Sequence, residues 1–180
     1  LLLSRDRYPL LSVLDYAFKW KPDIIVTPEK TEDVVNVVKV ANKYRVPIIP
    51  RGAGTNFAGQ TVPKNGGIVI STYKMDRIIE LNEEALTVTV QPGVVLERLE
   101  NWLNRRGYVL GHEPGSFKSA TVGGCIATDS IGYRVAKYGA MRNLVLSLEV
   151  VLPTGEVLRT NPSYKTSTLI DLNQLFIGSE

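Results

Sequence analysis

Hydrophobic and polar positions change their period several times along the chain. Leu10, Leu11, Leu14 and Phe18 recur at helical spacing and predict a helical segment within residues 8–20. Asp23-Ile24-Ile25-Val26-Thr27-Pro28 predicts a short buried strand stopped by proline. Thr31 is the expected N-cap of the next element, with Glu32 and Asp33 in the first turn, where carboxylates favour the positive end of a helix. Val34, Val37, Val38, Ala41 and Tyr44 follow at three-and-four spacing and predict a helix packed on one face, ending near basic Lys43 and Arg45. Pro47-Ile48-Ile49-Pro50 predicts another short buried strand, so strand, helix and strand form a parallel βαβ unit. A glycine-rich loop runs from Arg51 to Gly59 without a helix after it, then a turn over residues 63–67 leads to a strand at Ile68-Val69-Ile70.

Near residue 75 the pattern changes. Ile78 to Asn82, a turn at Glu83-Glu84-Ala85, and Leu86 to Gln91 predict an antiparallel pair, with Leu86, Val88 and Val90 on its buried face. Pro92-Gly93 ends that pair. Residues 94–106 predict an amphipathic helix through Leu96, Leu99, Trp102 and Leu103, stopped by Gly107. Residues 111–139 are rich in Gly, Ser, Thr and Ala and offer little ordinary core. Leu144 to Leu152, the turn Pro153-Thr154-Gly155-Glu156, and Val157-Leu158 predict a hairpin. The expected architecture is therefore α+β: an N-terminal helical segment at 1–22, a small parallel βαβ subdomain at 23–75, and a larger antiparallel-sheet α/β subdomain at 76–180.

Composition narrows the chemistry. With 44% hydrophobic and 22% charged residues over 180 positions, the chain can bury a core, and disorder throughout is excluded. No apolar run reaches the roughly 20 residues of a membrane-spanning helix. Leu1-Leu2-Leu3 runs straight into Ser4-Arg5-Asp6-Arg7, which is no signal-peptide core, and both ends read as cut ends. The net charge is only +3 and the basic residues are scattered, which argues against a nucleic-acid partner. One cysteine, Cys125, and one histidine, His112, cannot build a zinc or iron–sulfur site, and the lone thiol fits a reducing, cytoplasmic setting. No metal site is expected. Chemistry must come from backbone, hydroxyls and glycines, or from a borrowed cofactor.

Two stretches stand out. In the loop Arg51-Gly52-Ala53-Gly54-Thr55-Asn56, the missing Cβ atoms let backbone N–H groups approach an anion, and Thr55 and Asn56 add side-chain donors. A lone G-x-G is more often a plain turn. The dinucleotide fingerprint fails here, because Phe57 stands where the third glycine belongs and a strand follows; the Gly-Lys-Ser/Thr of a P-loop is missing too. The second stretch, Pro114-Gly115-Ser116 followed by Ala120 to Gly132, interleaves small residues with Val122, Ile126 and Ala127. A buried surface so poor in side chains leaves room for something large and flat. It also leaves backbone polar groups that need partners.

Pro50-Arg51-Gly52-Ala53-Gly54-Thr55-Asn56 with Gly59 resembles the pyrophosphate loop of the vanillyl-alcohol oxidase and p-cresol methylhydroxylase (PCMH-type) flavoproteins. Gln91-Pro92-Gly93-Val94, the stretch from Pro114 to Gly132, and Lys137-Tyr138-Gly139 to Leu152 are similar to that family in the same order, from about Asp23 onward. The nearest branch by resemblance is the FAD-linked 2-hydroxy acid dehydrogenases, which include the glycolate oxidase flavin subunit, D-lactate dehydrogenase and D-2-hydroxyglutarate dehydrogenase.

The resemblance implies a PCMH-type fold with FAD between the two subdomains. Pro50 to Asn56, Gly59 and Gln60 would hold the pyrophosphate, and Pro92 and Gly93 would lie near the cofactor. Pro114, Gly115, Ser116, Thr121, Gly123, Gly124, Ala127, Thr128 and Ser130 would line the flavin and ribityl chain. Some relatives attach flavin to a histidine in the glycine loop; Thr55 stands at that position here, which implies non-covalent FAD. The substrate, a small 2-hydroxy acid, and the catalytic and metal-ligating groups belong to a C-terminal domain beyond Glu180, so no catalytic residue is assigned within this chain. An electron acceptor such as a quinone, a cytochrome or an iron–sulfur partner is implied, along with a cytoplasmic location that leaves peripheral membrane attachment open. Asp129-Ser130-Ile131-Gly132 is less glycine-rich than this branch. The alternatives are an aldonolactone oxidase, an alkyl-glycerone-phosphate synthase or an amino-sugar reductase of the same fold, or a non-catalytic FAD or nucleotide module serving a partner chain.

Overall fold

The computed structural model describes residues 20–161 and 170–180. The helical segment expected through Leu10, Leu14 and Phe18 lies outside the described residues. Three short strands, β1 (Ile24–Val26), β2 (Ile48–Arg51) and β3 (Ile68–Ser71), form a parallel sheet in the order β1-β3-β2. Ile24 and Ile48 both pair with Ile68, and Arg51 pairs with Ser71. The two strands of the expected βαβ unit thus share one sheet, but β3 lies between them. As the centre strand β3 is flanked on both edges, and all four of its residues are buried.

Helix α1 (Thr31–Tyr44) covers this sheet: Ala41, Ile68 and Ile70 form a core with Val26, Val34, Val37, Val46 and Ile48 around them. Thr31 is not the N-cap. Lys30 holds that position, and Asp33 Oδ2 accepts the backbone N–H groups of Glu29 at 3.1 Å and Lys30 at 3.3 Å. That leaves the Thr31 hydroxyl free to donate to Glu149 Oε1 at 2.6 Å, far along the chain.

The antiparallel part is built of two separate ribbons. β4 (Ile78–Asn82) and β5 (Thr87–Val90) pair with an irregularity between Ile78 and Glu80. Val88 and Val90 pack on the larger core, as expected, but Leu86 does not. It sits in the turn with φ 52° and is 71% exposed, so the strand begins one residue later. The second ribbon joins β6 (Glu149–Val151) to β7 (Val157–Arg159), with Val151 opposite Val157 across the expected turn.

Helix α2 (Leu96–Asn104) buries Leu96, Leu99 and Leu103, and Gly107 follows it at φ +81°. These leucines join Val94, Ala120, Val122, Cys125 and Met141 in the main core. The small-residue stretch is not an open loop. Val122–Ala127 folds as a short helix, α3, and is followed by the single turns α4 (Val135–Tyr138) and α5 (Met141–Leu144). A last turn, α6 (Asn173–Phe176), is tied down by buried Asn173, which accepts from Thr160 and donates to the Leu146 carbonyl. Among the described residues no helix is long and apolar enough to cross a membrane.

Candidate functional site

β2 and β3 end side by side at Arg51 and Ser71, and the glycine loop starts there. In sheets of parallel strands this carboxyl edge is where ligands sit. Arg51 is 3% exposed, and its Nη1 donates to Thr61 Oγ1 at 3.1 Å. Gly54 rests on the guanidinium: a Cβ there would stand 2.3 Å from Arg51 Nη2, and φ is +63°. Asn56 Oδ1 accepts the Gly59 N–H at 3.1 Å, which turns the loop back. Arg51 thus lies beneath the loop as a strut. Above it, the N–H groups of Ala53, Gly54, Thr55 and Asn56 donate to no protein acceptor among the described residues.

The loop meets α3 at the helix's first turn. A Cβ on Gly52 would stand 2.3 Å from Thr121 Oγ1. That oxygen caps α3 by accepting the Gly124 N–H at 3.3 Å. Pro92 and Gly93 complete the same contact set. The Gly123 N–H donates to the Pro92 carbonyl at 2.8 Å, and a Cβ on Gly123 would meet Pro92 Cβ at 2.6 Å. A Cβ on Gly93 would stand 2.0 Å from the Thr72 carbonyl. Three glycines at three crossings thus draw the two sheets' connecting segments into van der Waals contact, and each tolerates no larger residue.

The remaining candidates flank α3. Pro114 and Ser116 direct a turn through their carbonyls, which accept from Phe117, Ser119 and Ala120; Gly115 is exposed beside the Tyr133 hydroxyl. At the other end of α3, Thr128 Oγ1 donates to the Gly124 carbonyl, and the Ala127 carbonyl accepts the Glu180 N–H. Ser130 N–H donates to the Cys125 carbonyl, and its hydroxyl lies 2.6 Å from His112 Nε2. Pro50 faces outward on β2 and Gln60 lies past the turn at Gly59.

The expectation that the small-residue stretch leaves its backbone unpartnered holds less widely than the sequence suggests. Helix formation and the segment 178–180 take up the carbonyls of Thr121, Gly124, Cys125, Ile126 and Ala127. The N–H groups of residues 53–56 also have no protein acceptor among the described residues. Among the described residues, the buried side-chain atoms Gln60 Oε1, Ser71 Oγ and His112 Nδ1 have no hydrogen-bond partner. Ser71, Thr61 and Thr72 were not singled out from the sequence. A serine closing an apolar strand opposite Arg51 was the available signal, and it depended on knowing the strand order.

Burial lowers the pKa of His112 against an opposing pull from Asp129, so the ring is neutral near neutral pH. Burial raises that of the Cys125 thiol, partly offset by its hydrogen bond to Ser130. No group of three or more His, Cys, Asp or Glu side chains is placed to hold a metal among the described residues.

A sequence profile described as "FAD binding domain" matches residues 22–161. The chain is 41% identical over 160 residues to glycolate oxidase subunit GlcD of Bacillus subtilis, spanning 88% of this chain and 34% of that protein. It is 40% identical over 163 residues to a D-lactate dehydrogenase of Anaerostipes hadrus, spanning 90% of this chain and 34% of that one. Among solved structures, an alkyldihydroxyacetonephosphate synthase superposes with a TM-score of 0.76 at 33% identity, over 86% of this chain and 30% of that chain. The chain thus spans about a third of the length of the relatives it matches.

Proposed function

The chain belongs to the FAD binding domain family of PCMH-type flavoproteins, and from that premise we propose that it binds FAD non-covalently for an oxidoreductase acting on a small 2-hydroxy acid such as glycolate or D-lactate. The observation that carries this reading is the seam at Gly52 and Thr121, where a loop whose N–H groups at residues 53–56 have no protein acceptor among the described residues closes on the capped end of α3. Such a nest of N–H groups suits a pyrophosphate, and the buried Arg51 adds positive charge beneath it. The unpartnered Gln60 and Ser71 oxygens at the same edge are further polar groups for a bound ligand to satisfy.

In this reading residues 51–56, Gly59 and Gln60 form the phosphate side, with Pro50 as the strand residue that leads in. Pro92 and Gly93 lie beneath the cofactor. Pro114 to Ser116, Thr121, Gly123, Gly124, Ala127, Thr128 and Ser130 line the ribityl and ring side. FAD supplies two-electron redox chemistry when bound, while this chain binds and orients it. FAD lies between a first subdomain at 23–75 and a second at 76–180. The substrate site, the proton-abstracting group and the contact with an electron acceptor (a quinone, a cytochrome or an iron–sulfur partner) lie outside these 180 residues. The relatives named as 2-hydroxy acid enzymes support this substrate class, and the single buried cysteine supports a cytoplasmic location.

The test is reconstitution. The purified chain, refolded or incubated with FAD, should retain a yellow flavin spectrum through gel filtration. Acid precipitation should release the flavin into the supernatant. A chain that binds no flavin would overturn the reading, and flavin left in the pellet would overturn the non-covalent part of it. The structural likeness to alkyldihydroxyacetonephosphate synthase favours a second reading, in which the same domain serves a synthase of that kind. Anaerobic bleaching of the flavin by D-lactate or glycolate, measured on the natural polypeptide in which the chain occurs, selects the first.

A further inference from the structure

We propose that His112 is a flavin-binding residue, held by Ser130 through one ring nitrogen so that the other hydrogen-bonds the edge of the isoalloxazine ring. This rests on the FAD reading above and deepens it. His112 is 2% exposed, yet only one of its nitrogens is used: Nε2 lies 2.6 Å from Ser130 Oγ, and Nδ1 is buried without a partner. An unpaired polar atom at that depth is costly unless a ligand or water completes it.

The place of the pair in the fold says which part of the ligand would do so. α3 has the glycine loop at its Thr121 end, where Gly52 meets the cap. His112 and Ser130 stand at the opposite end, where Ser130 N–H closes on the Cys125 carbonyl. Six residues of helix separate the two ends by about 9 Å. A dinucleotide with its phosphates at the loop therefore meets His112 with a portion beyond the phosphates. Gly111, next to His112, is buried, as is Pro114 two residues on, while Glu113 between them is half-exposed. A neutral imidazole offers one donor and one acceptor, and Ser130 occupies one of the two. The flavin edge, with its carbonyls and ring nitrogens, can pair with either function at the other.

The chain has a single histidine, so its imidazole nitrogens can be read without assignment. Long-range ¹H–¹⁵N spectra of the uniformly labelled chain are recorded while FAD, FMN or ADP is titrated in, with flavin binding followed in parallel by absorbance. The expected result is a large shift of the Nδ1 resonance with FAD and FMN, little change at Nε2, and no response to ADP. Two variants separate the nitrogens. His112→Gln keeps a group near the Nε2 position and His112→Asn one near Nδ1. The midpoint potential of bound flavin should move in the glutamine variant and stay closer to the parent value in the asparagine variant. If flavin binds and Nδ1 does not move, or responds to ADP alone, the proposal is wrong while the FAD reading stands. If no flavin binds at all, both fall.

Discussion

Gly52 and Thr121 lie so close that a methyl group on the glycine would stand 2.3 Å from the threonine hydroxyl oxygen. That oxygen is already engaged as the cap of α3. The contact therefore joins the end of the parallel sheet to the helix of the second half. Gly52→Ala should push the cap aside and cost about 1–3 kcal/mol of stability, the usual range for overpacking. FAD affinity should fall tenfold or more, since about 1.4 kcal/mol is a factor of ten. Thr121→Ala alone should cost about 1 kcal/mol as a lost cap. The double variant should be less damaged than the sum of the two, because the alanine at 121 makes room. Urea titrations and flavin titrations of the four proteins check this; strict additivity would mean the two residues do not meet.

Gly54 and Gly107 make a controlled pair. Both have positive φ, +63° and +81°. A Cβ on Gly54 would collide with the Arg51 guanidinium, whereas one on Gly107 meets nothing within 4 Å. Each alanine substitution should cost about 1–2 kcal/mol for the left-handed backbone. Only Gly54→Ala should also abolish FAD binding, because displacing Arg51 disturbs both the strut to Thr61 and the loop above it. Equal loss of binding in the two variants would show that stability, not the loop, governs affinity.

These two sites also show how far the sequence could be read. The glycines at 52 and 54, the strands around Ile25, Ile49 and Val69, and the amphipathic run through Leu96, Leu99 and Leu103 were legible because period and side-chain size are local properties. The central position of β3 was not, since strand order depends on pairing between distant segments. The burial of Val122–Ala127 is legible from its interleaved apolar residues, but its helix is not, because two glycines disfavour a helix by about 1 kcal/mol each. The Thr121 cap and the burial of Val122 and Cys125 outweigh that local preference. The sequence leaves Arg51 open between a charge for an anion and an anchor for the loop. Its burial beneath Gly54 is a tertiary fact that no spacing announces.

Glu149 ties the β6–β7 ribbon to α1 and to its own partner strand. The Thr31 hydroxyl, first, and the Arg159 guanidinium, second, hold its carboxylate pKa below the ordinary value. A folded-state pKa below the unfolded one stabilises the fold above the unfolded value, about 4.3 for glutamate, and that contribution disappears as pH falls through the folded value. Stability should therefore drop on acidification through about pH 5 to 3 by more in the parent than in Glu149→Gln. Thr31→Val should remove the larger part of the difference. The carboxylate is partly exposed, so the effect should be small and should shrink in high salt. Denaturation midpoints across that range test it, and identical pH profiles for parent and glutamine variant would refute it.

Cys125 offers a reporter on α3 itself. The thiol is 4% exposed, and burial raises its pKa, so the native state presents almost no thiolate to a reagent near neutral pH. Labelling must then wait for the helix to open. Because Thr121, Gly123 and Gly124 sit on the same helix as Cys125, opening should also break the seam with the glycine loop. A ligand bound across that seam holds the helix closed, and at a free concentration of 100 times its Kd it should slow labelling by about 100-fold, equivalent to about 2.7 kcal/mol. The rate of modification by a disulfide reagent, measured with and without FAD, gives this ratio directly, and Cys125→Ala supplies the blank. Full occupancy by flavin with an unchanged labelling rate would separate α3 from the cofactor and would move the binding surface away from residues 121–130.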